Sequence, residues 1–187
     1  MTNPVLETIR ARRSIRFYTD EPVPQEAIDT LLEVAQLAPT GLGKQAWHFT
    51  VVRDRALLDE ITEANRQIMM NSGDPAEIEK ASAPDFDNFR GAPMAIIVSG
   101  ETAAAYHIAD CANATTTMAL AAESMGLSSC YLAGFRKALR TPDGAALLAR
   151  LQLPEGYEPE FALSIGYKGK EPNPRHPRRE GCINYIG

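Results

Sequence analysis

Arg12, Arg13, Ser14 and Arg16 bring three guanidinium groups and a hydroxyl into five consecutive positions. A phosphate monoester carries close to two negative charges and several strong acceptor oxygens, so guanidinium forks backed by a hydroxyl donor suit it. The same residues also suit a solvated helix end, where cations complement the partial negative charge of the last carbonyls. Residue chemistry alone leaves both readings open. Gly41-Leu42-Gly43-Lys44 has the outline of a nucleotide loop but fails both tests for one. A Walker A loop needs glycine where Ala38 stands and serine or threonine where Gln45 stands. A dinucleotide fingerprint needs a preceding strand and a third glycine in place of Ala46, and the segment before it has helical spacing. What remains is a glycine-rich turn whose backbone can lie against a planar ligand, followed by the two-way amide of Gln45.

The other reactive residue types are read as structural. His48, His107 and His176 are far apart, and His107 with Asp110 and Cys111 has no matching ligand set elsewhere, so no metal site is expected. The three cysteines, Cys111, Cys130 and Cys182, are an odd number without C-x-x-C spacing and are read as free thiols. Cys130 is expected to be a buried small hydrophobe, and Trp47 a core residue. Met69, Met70 and Tyr106 are assigned to packing or to a lid.

The elements that must carry these residues follow from spacing. Asn3 caps and Pro4 opens a helix running to about Arg12, which puts the arginines at its C-terminal end. Pro24 opens a second helix, stopped by Pro39, and residues 39–46 form a loop. Strands are predicted over 47–52, 94–98, 128–132 and 161–167, where Phe161, Leu163, Ile165 and Tyr167 alternate with Ala162, Ser164 and Gly166. Helices are predicted over 56–69, 103–125 with Gly126 as cap, and 141–151. Periodicity disappears from Met70 to Phe89, within a segment 66–90 read as a lid. From Pro172 the chain is expected to be extended.

At 187 residues one domain spanning 1–187 is expected, and 44% hydrophobic with 23% charged residues is an ordinary globular balance. A net charge of −5 argues against a nucleic-acid partner, and two small basic clusters within it suit one anionic ligand. The longest apolar run, Ala92 to Val98, is far short of the ~20 residues that span a membrane. Met1-Thr2-Asn3-Pro4 is followed by charged residues rather than an apolar h-region, so the expected location is cytoplasmic.

Taken in order, the motifs resemble those of the FMN-dependent nitroreductase-like family. Arg12-Arg13-Ser14-Ile15-Arg16 resembles its R-x-S-x-R element, and residues 38–47 resemble its A-P-S-G-x-x-x-Q-P-W element. Residues 113–134 resemble its small-residue helix and G-L-G-x-C-x-x-G turn, and Ser164-Ile165-Gly166-Tyr167 with the Pro/Arg tail completes a likeness over nearly the whole chain. The resemblance implies an α+β fold with a central, mostly antiparallel sheet surrounded by helices. It also implies an intertwined homodimer, a tail 168–187 laid on the partner, and FMN in each interface pocket. NADH or NADPH would pass hydride through FMN to electron-poor acceptors such as nitroaromatics or quinones. No catalytic side chain is implied.

Carried over, Arg12, Ser14 and Arg16, with Arg13 beside them, would hold the phosphate and ribityl end. Pro39, Thr40 and Gly41 would line the flavin of the partner, with Gln45 a further contact. Leu132, Ala133 and Gly134 would lie along the pyrimidine edge. Arg178 would be a second phosphate contact, assisted by His176 or Arg175, and either Asn65 or Asn88 would address the flavin. Ala46, Ser128 and Ala133 depart from the family's proline, glycine and glutamate. The same cradle also serves dedicated enzymes, such as dehalogenases or flavin-degrading enzymes, and a non-turnover FMN-storage or sensor protein is the reading from another class.

Overall fold

In a computed structural model, which describes residues 2–187, seven α-helices and four strands follow one another; the four strands fall where they were expected, and two of the helices, at Pro75–Ser82 and Arg136–Leu139, were not expected from spacing. Met1, the first residue of the leader reading above, lies outside the described residues. α1 (Pro4–Ala11) begins at Asn3, whose side chain accepts the Leu6 N–H at 2.9 Å, with Pro4 in the first turn where a missing N–H costs nothing. α2 (Gln25–Gln36) buries Ile28, Leu31 and Ala35, which share one face at helical spacing. β1 (Trp47–Val52) and α3 (Arg55–Met70) follow, the latter capped by Asp54. α4 (Pro75–Ser82) precedes β2 (Met94–Glu101), α5 (His107–Ser124), β3 (Ser128–Leu132), α6 (Arg136–Leu139), α7 (Ala145–Arg150) and β4 (Tyr157–Gly166).

The strands form one sheet in the order β1-β2-β4-β3, antiparallel throughout. Helices cover both faces. Met94, Ile96 and Val98 of β2 point into a cluster with Ile28 and Leu31 of α2 and Cys111, Ala114 and Met118 of α5. Ala95 and Ile97, one residue out of phase, join Leu58 and Ile61 of α3 and Ala138 and Leu139 of α6. A sheet covered on both sides has no solvent face, and for that reason β2 reads as an unbroken apolar run.

Several boundaries differ from the sequence expectation, β2 among them, which runs on from Val98 to Glu101. α4 occupies the stretch without periodicity. Eight residues are too few for a helical repeat to stand out, although Asp74 caps it and Pro75 opens it. α5 starts at His107, four residues later than read, because Glu101 ends β2 and the chain must turn before re-entering; the Ala104 N–H donates to Glu101 O at 2.9 Å. The helix read over 141–151 is a 3₁₀ turn, Pro142–Gly144, followed by α7, and a Cβ on Gly144 would lie 1.8 Å from the Ala138 carbonyl oxygen. That close approach folds the turn back on α6, which spacing did not disclose. β4 extends back to Tyr157, past Pro159 and the buried Glu160, whose residue types do not read as strand. Among the described residues no helix is long and apolar enough to cross a membrane.

Candidate functional site

The arginine cluster is fixed to the free edge of β3. Ser14 bridges Ser129 in parallel, the Ile15 N–H donates to Ser129 O at 2.9 Å, and the Ile15 side chain is buried. Thr19 N–H then donates to Tyr167 O at 3.0 Å, and Gly169 N–H to Phe17 O at 2.9 Å, so the tail starts alongside the same strip of chain. The tail returns over α1: Arg13 donates to Asn173 O, and Arg175 donates to Arg10 O and, at 2.9 Å, to Arg12 O.

Between them lies a cleft of about 270 Å³ lined by Arg12, Arg13, Ser14 and Arg16 from one side and by Arg175, His176 and Arg178 from the other. Among the described residues none of its five arginines pairs with a carboxylate. Partial desolvation, and after it the guanidiniums of Arg13, Arg178 and Arg12, pull the Arg175 pKa down. The field is therefore positive, with Glu123 the acidic group that acts on Arg175 in the other direction, which is the electrostatic form of an anion site. Of the two readings of residues 12–16, the helix-end role falls to Arg175, whose guanidinium sits on the last carbonyls of α1. Arg12 and Arg16 are left free for a ligand.

Leu132, Ala133 and Gly134 continue β3 away from this cleft, buried, half-buried and exposed in turn. Across from Gly134 stands Asn88, whose Oδ1 would be 3.7 Å from a Cβ built there. Asn65 and Asn88 are hydrogen-bonded to each other, Asn65 Nδ2 donating to Asn88 Oδ1 at 3.1 Å. Asn65 Oδ1 and Asn88 Nδ2 are buried without a hydrogen-bond partner, which leaves the pair one acceptor and one donor unused.

Residues 39–45 do not join this cleft. They lie by β1, and the strand order places β1 and β3 on opposite edges, three steps of ~4.8 Å or about 14 Å apart. There Asp110 Oδ1 accepts the Gly41 N–H at 2.8 Å and Asn113 Nδ2 donates to Pro39 O at 3.0 Å, so α5 holds the loop from behind. Leu42, Gly43 and Gln45 take φ of 56°, 66° and 52°, which turns the chain tightly beside a second cleft of about 330 Å³ lined by Gly41, Lys44, Tyr106 and Asp110.

Among the described residues no three His, Cys, Asp or Glu side chains form a metal-holding group. Cys130 is buried on β3, and burial raises its thiol pKa while Arg16, Arg90 and Arg12 oppose the rise. Trp47 packs against the core cluster. Sequence reading missed the loop clamp of Asp110 and Asn113, and it missed Arg90. A single signal marked the latter, the run Asp87-Asn88-Phe89-Arg90-Gly91 inside a stretch without periodicity.

The model of the nitroreductase family matches residues 9–167, a span that contains the arginine cluster, the loop and β3. The chain belongs to the nitroreductase family. A nitroreductase with bound FMN from Bacteroides fragilis superposes on it with a TM-score of 0.91, at 32% identity over 100% of both chains. A second nitroreductase with bound FMN, from Desulfitobacterium hafniense, gives 0.90 at 26% identity, again over 100% of both chains. In sequence, an FMN reductase (NADPH) of Bacillus subtilis is 30% identical over 185 residues, covering 91% of this chain and 70% of its own. Within this nitroreductase-family fold, the cationic cleft on the β3 edge is the largest gathering of unpaired like charge described above.

Proposed function

We propose that this nitroreductase-family chain is an FMN-dependent oxidoreductase that takes hydride from NADH or NADPH and passes it to electron-poor acceptors such as nitroaromatics or quinones. The observation that carries the reading is the ring of five arginines around Ser14 without a carboxylate among them. An FMN phosphate supplies the missing negative charge, and the residues present fit it: forks from Arg12, Arg16 and Arg178, and a hydroxyl from Ser14. The bound FMN of the Bacteroides fragilis relative and the NADPH named for the Bacillus subtilis one support the same choice of cofactor and donor.

FMN supplies the hydride chemistry, and the chain supplies position and charge. Arg12, Ser14, Arg16 and Arg178 bind the phosphate and orient what is attached to it, with Arg13 and Arg175 held back to fix the tail. Leu132, Ala133 and Gly134 offer backbone groups along the flavin, and the Asn65–Asn88 pair directs its spare donor and acceptor there. No side chain is assigned as acid or base.

The remaining part of the site comes from a second copy. Pro39, Thr40, Gly41 and Gln45 lie by β1, at the opposite edge of the sheet from β3, and a homodimer brings the partner's loop to the FMN. Apolar side chains left uncovered support this: Val5 of α1 is 67% exposed, and Tyr185 and Ile186 in the tail are 94% and 100% exposed. Residues 168–178 stay against residues 10–18 of their own chain, and in that assembly the rest of the 168–187 tail lies on the partner, with residues 66–90 flanking the flavin as a lid. The protein works in the cytoplasm, where NADH and NADPH are available.

The purified chain titrated with FMN under anaerobic conditions tests the reading. Stoichiometric yellow binding followed by bleaching with NADH or NADPH is expected, with colour restored by a nitroaromatic or quinone. Absence of FMN binding would sink it, and binding without bleaching would leave a storage protein in its place.

A further inference from the structure

Arg90 lies outside every helix and strand, yet few residues are held more firmly. The carbonyl of Phe89 accepts the Ser164 hydroxyl at 2.8 Å, and Ser164 stands opposite Cys130 in the pairing of β4 with β3. The turn that follows is set by Asp87, which accepts the N–H groups of Phe89 and Gly91, both at 2.7 Å, and the Thr62 hydroxyl at 3.2 Å. Arg55 braces that carboxylate at 2.5 Å. Arg90 and Gly91 consequently take φ of 64° and 68°. A long side chain in the left-handed region is strained, and such strain persists where the surroundings over-determine it.

The clamp carries an arginine with nothing to bind. Arg90 Nε is buried without a hydrogen-bond partner, and among the described residues its guanidinium forms no ion pair. A buried donor on a permanent cation left without an acceptor is costly unless a ligand supplies one. Its neighbours say where that ligand lies. Phe89 O binds Ser164, which pairs with Cys130, so Arg90 leaves the chain one residue from the β4–β3 pairing, and Arg16 and Arg90 both oppose the burial-driven rise in the Cys130 and Tyr18 pKa. Along that edge Ser14 is bridged at Ser129, Cys130 comes next, and Leu132 to Gly134 follow.

We propose that Arg90 is a further residue of the FMN site, standing between the phosphate grip of Arg12, Ser14 and Arg16 and the flavin edge at Leu132, Ala133 and Gly134. Its fixed charge favours two-electron-reduced FMN, the more negative form, over oxidised FMN. The inference rests on the FMN reading above and assigns to one residue a part of the cofactor's driving force.

The experiment compares wild type, Arg90→Gln and Arg90→Lys as full chains, by FMN titration and by dye-linked reduction potential. Wild type is titrated first: no FMN binding overturns the functional reading and this one together. Given binding, Arg90→Gln is expected to weaken oxidised FMN about tenfold and reduced FMN a further tenfold, a fall in two-electron potential of about 30 mV. Arg90→Lys is expected to recover most of the potential. Unchanged affinity and potential in Arg90→Gln overturns the assignment while leaving the functional reading standing. A lower melting temperature with an unchanged potential overturns it too, since the residue would then be structural. Should Arg90→Gln fail to fold, Arg90→Asn, which accepts left-handed backbone more readily, gives the same readout.

Discussion

Two regions of this molecule gather arginines, and they do opposite things with them. At the start of β4, Glu160 is 2% exposed and accepts Arg136 Nη1 at 2.7 Å and Arg140 Nη2 at 2.8 Å, with His107 Nε2 at 3.5 Å. Arg140 also reaches Glu158 at 3.3 Å. At the β3 edge five arginines share a cleft in which no carboxylate pairs with them. In the first region charge is consumed internally and ties α5, α6 and β4 together. In the second it is left over. An arginine's function is told by what it is paired with, since an unpaired cluster raises the cost of the empty protein and recovers that cost on binding an anion.

The largest expected effect breaks the open cluster. Arg12→Ala with Arg16→Ala removes two charge-assisted contacts at about 1.5–3 kcal/mol each, so FMN affinity should fall at least about 100-fold by equilibrium titration. The apoprotein should melt within a few degrees of wild type, because neither side chain has a protein partner to lose. Retained affinity would make the cleft mere surface decoration.

The closed cluster should respond the other way. Glu160→Gln leaves Arg136 and Arg140 short of a counter-charge and is expected to cost about 3 kcal/mol in urea unfolding, the lower end for breaking a buried pair, because both arginines keep some solvent. FMN affinity of the folded fraction should stay within about twofold. A stability loss in the first variant and an affinity loss in the second would invert the comparison.

A third test concerns the brace behind Arg90. Burial alone would raise the Asp87 pKa, but the Arg55 hydrogen bond and the Phe89 and Gly91 amides outweigh it and hold the carboxyl below its usual range. A depressed folded-state pKa contributes stability that is fully present above the unfolded value of about 4 and is lost as pH falls through the folded value. Asp87→Asn should therefore destabilise by about 1–2 kcal/mol at pH 7 and flatten the acid limb of the stability curve below about pH 4. An acid limb unchanged by the substitution would detach Asp87 from the site.

The smallest effect sharpens how closed the β3 edge is. Cys182 is exposed, whereas Cys111 is buried with its thiol pushed up to about 12 by burial and then by Glu160 and Asp110, and Cys130 is buried and raised by burial. One of the three thiols should react promptly with a thiol reagent in the native state, and the other two only on unfolding. Fast labelling of Cys130 would show that the strand edge beneath the arginines opens.

What was legible in the sequence was local or periodic. Asn3 and Pro4 announce α1, the strand read over 128–132 matches β3 residue for residue, and the Arg-Arg-Ser-Ile-Arg run stays contiguous in space because five consecutive residues cannot disperse. The motif order also placed the chain in its family, which the match over residues 9–167 bears out. What escaped depends on partners distant in the chain. Glu160 looks like a surface residue until Arg136, Arg140 and His107 are seen to converge on it. The hydrogen bond between Asn65 and Asn88, 23 positions apart, is made only when the chain folds back.

The sequence by itself thus determined the four strands and the longer helices, the composition of the phosphate grip and the family, all of which rest on neighbours a few residues apart. Only the tertiary structure decided which arginines are spent and which are free. Arg175, more than 160 residues from α1, takes the helix-end role that residues 12–16 also suited, and among the described residues Arg90, next to the Phe89 carbonyl that binds Ser164, forms no ion pair. The physical reason is that charge compensation is a property of pairs, and the pairs that settle it are made by folding.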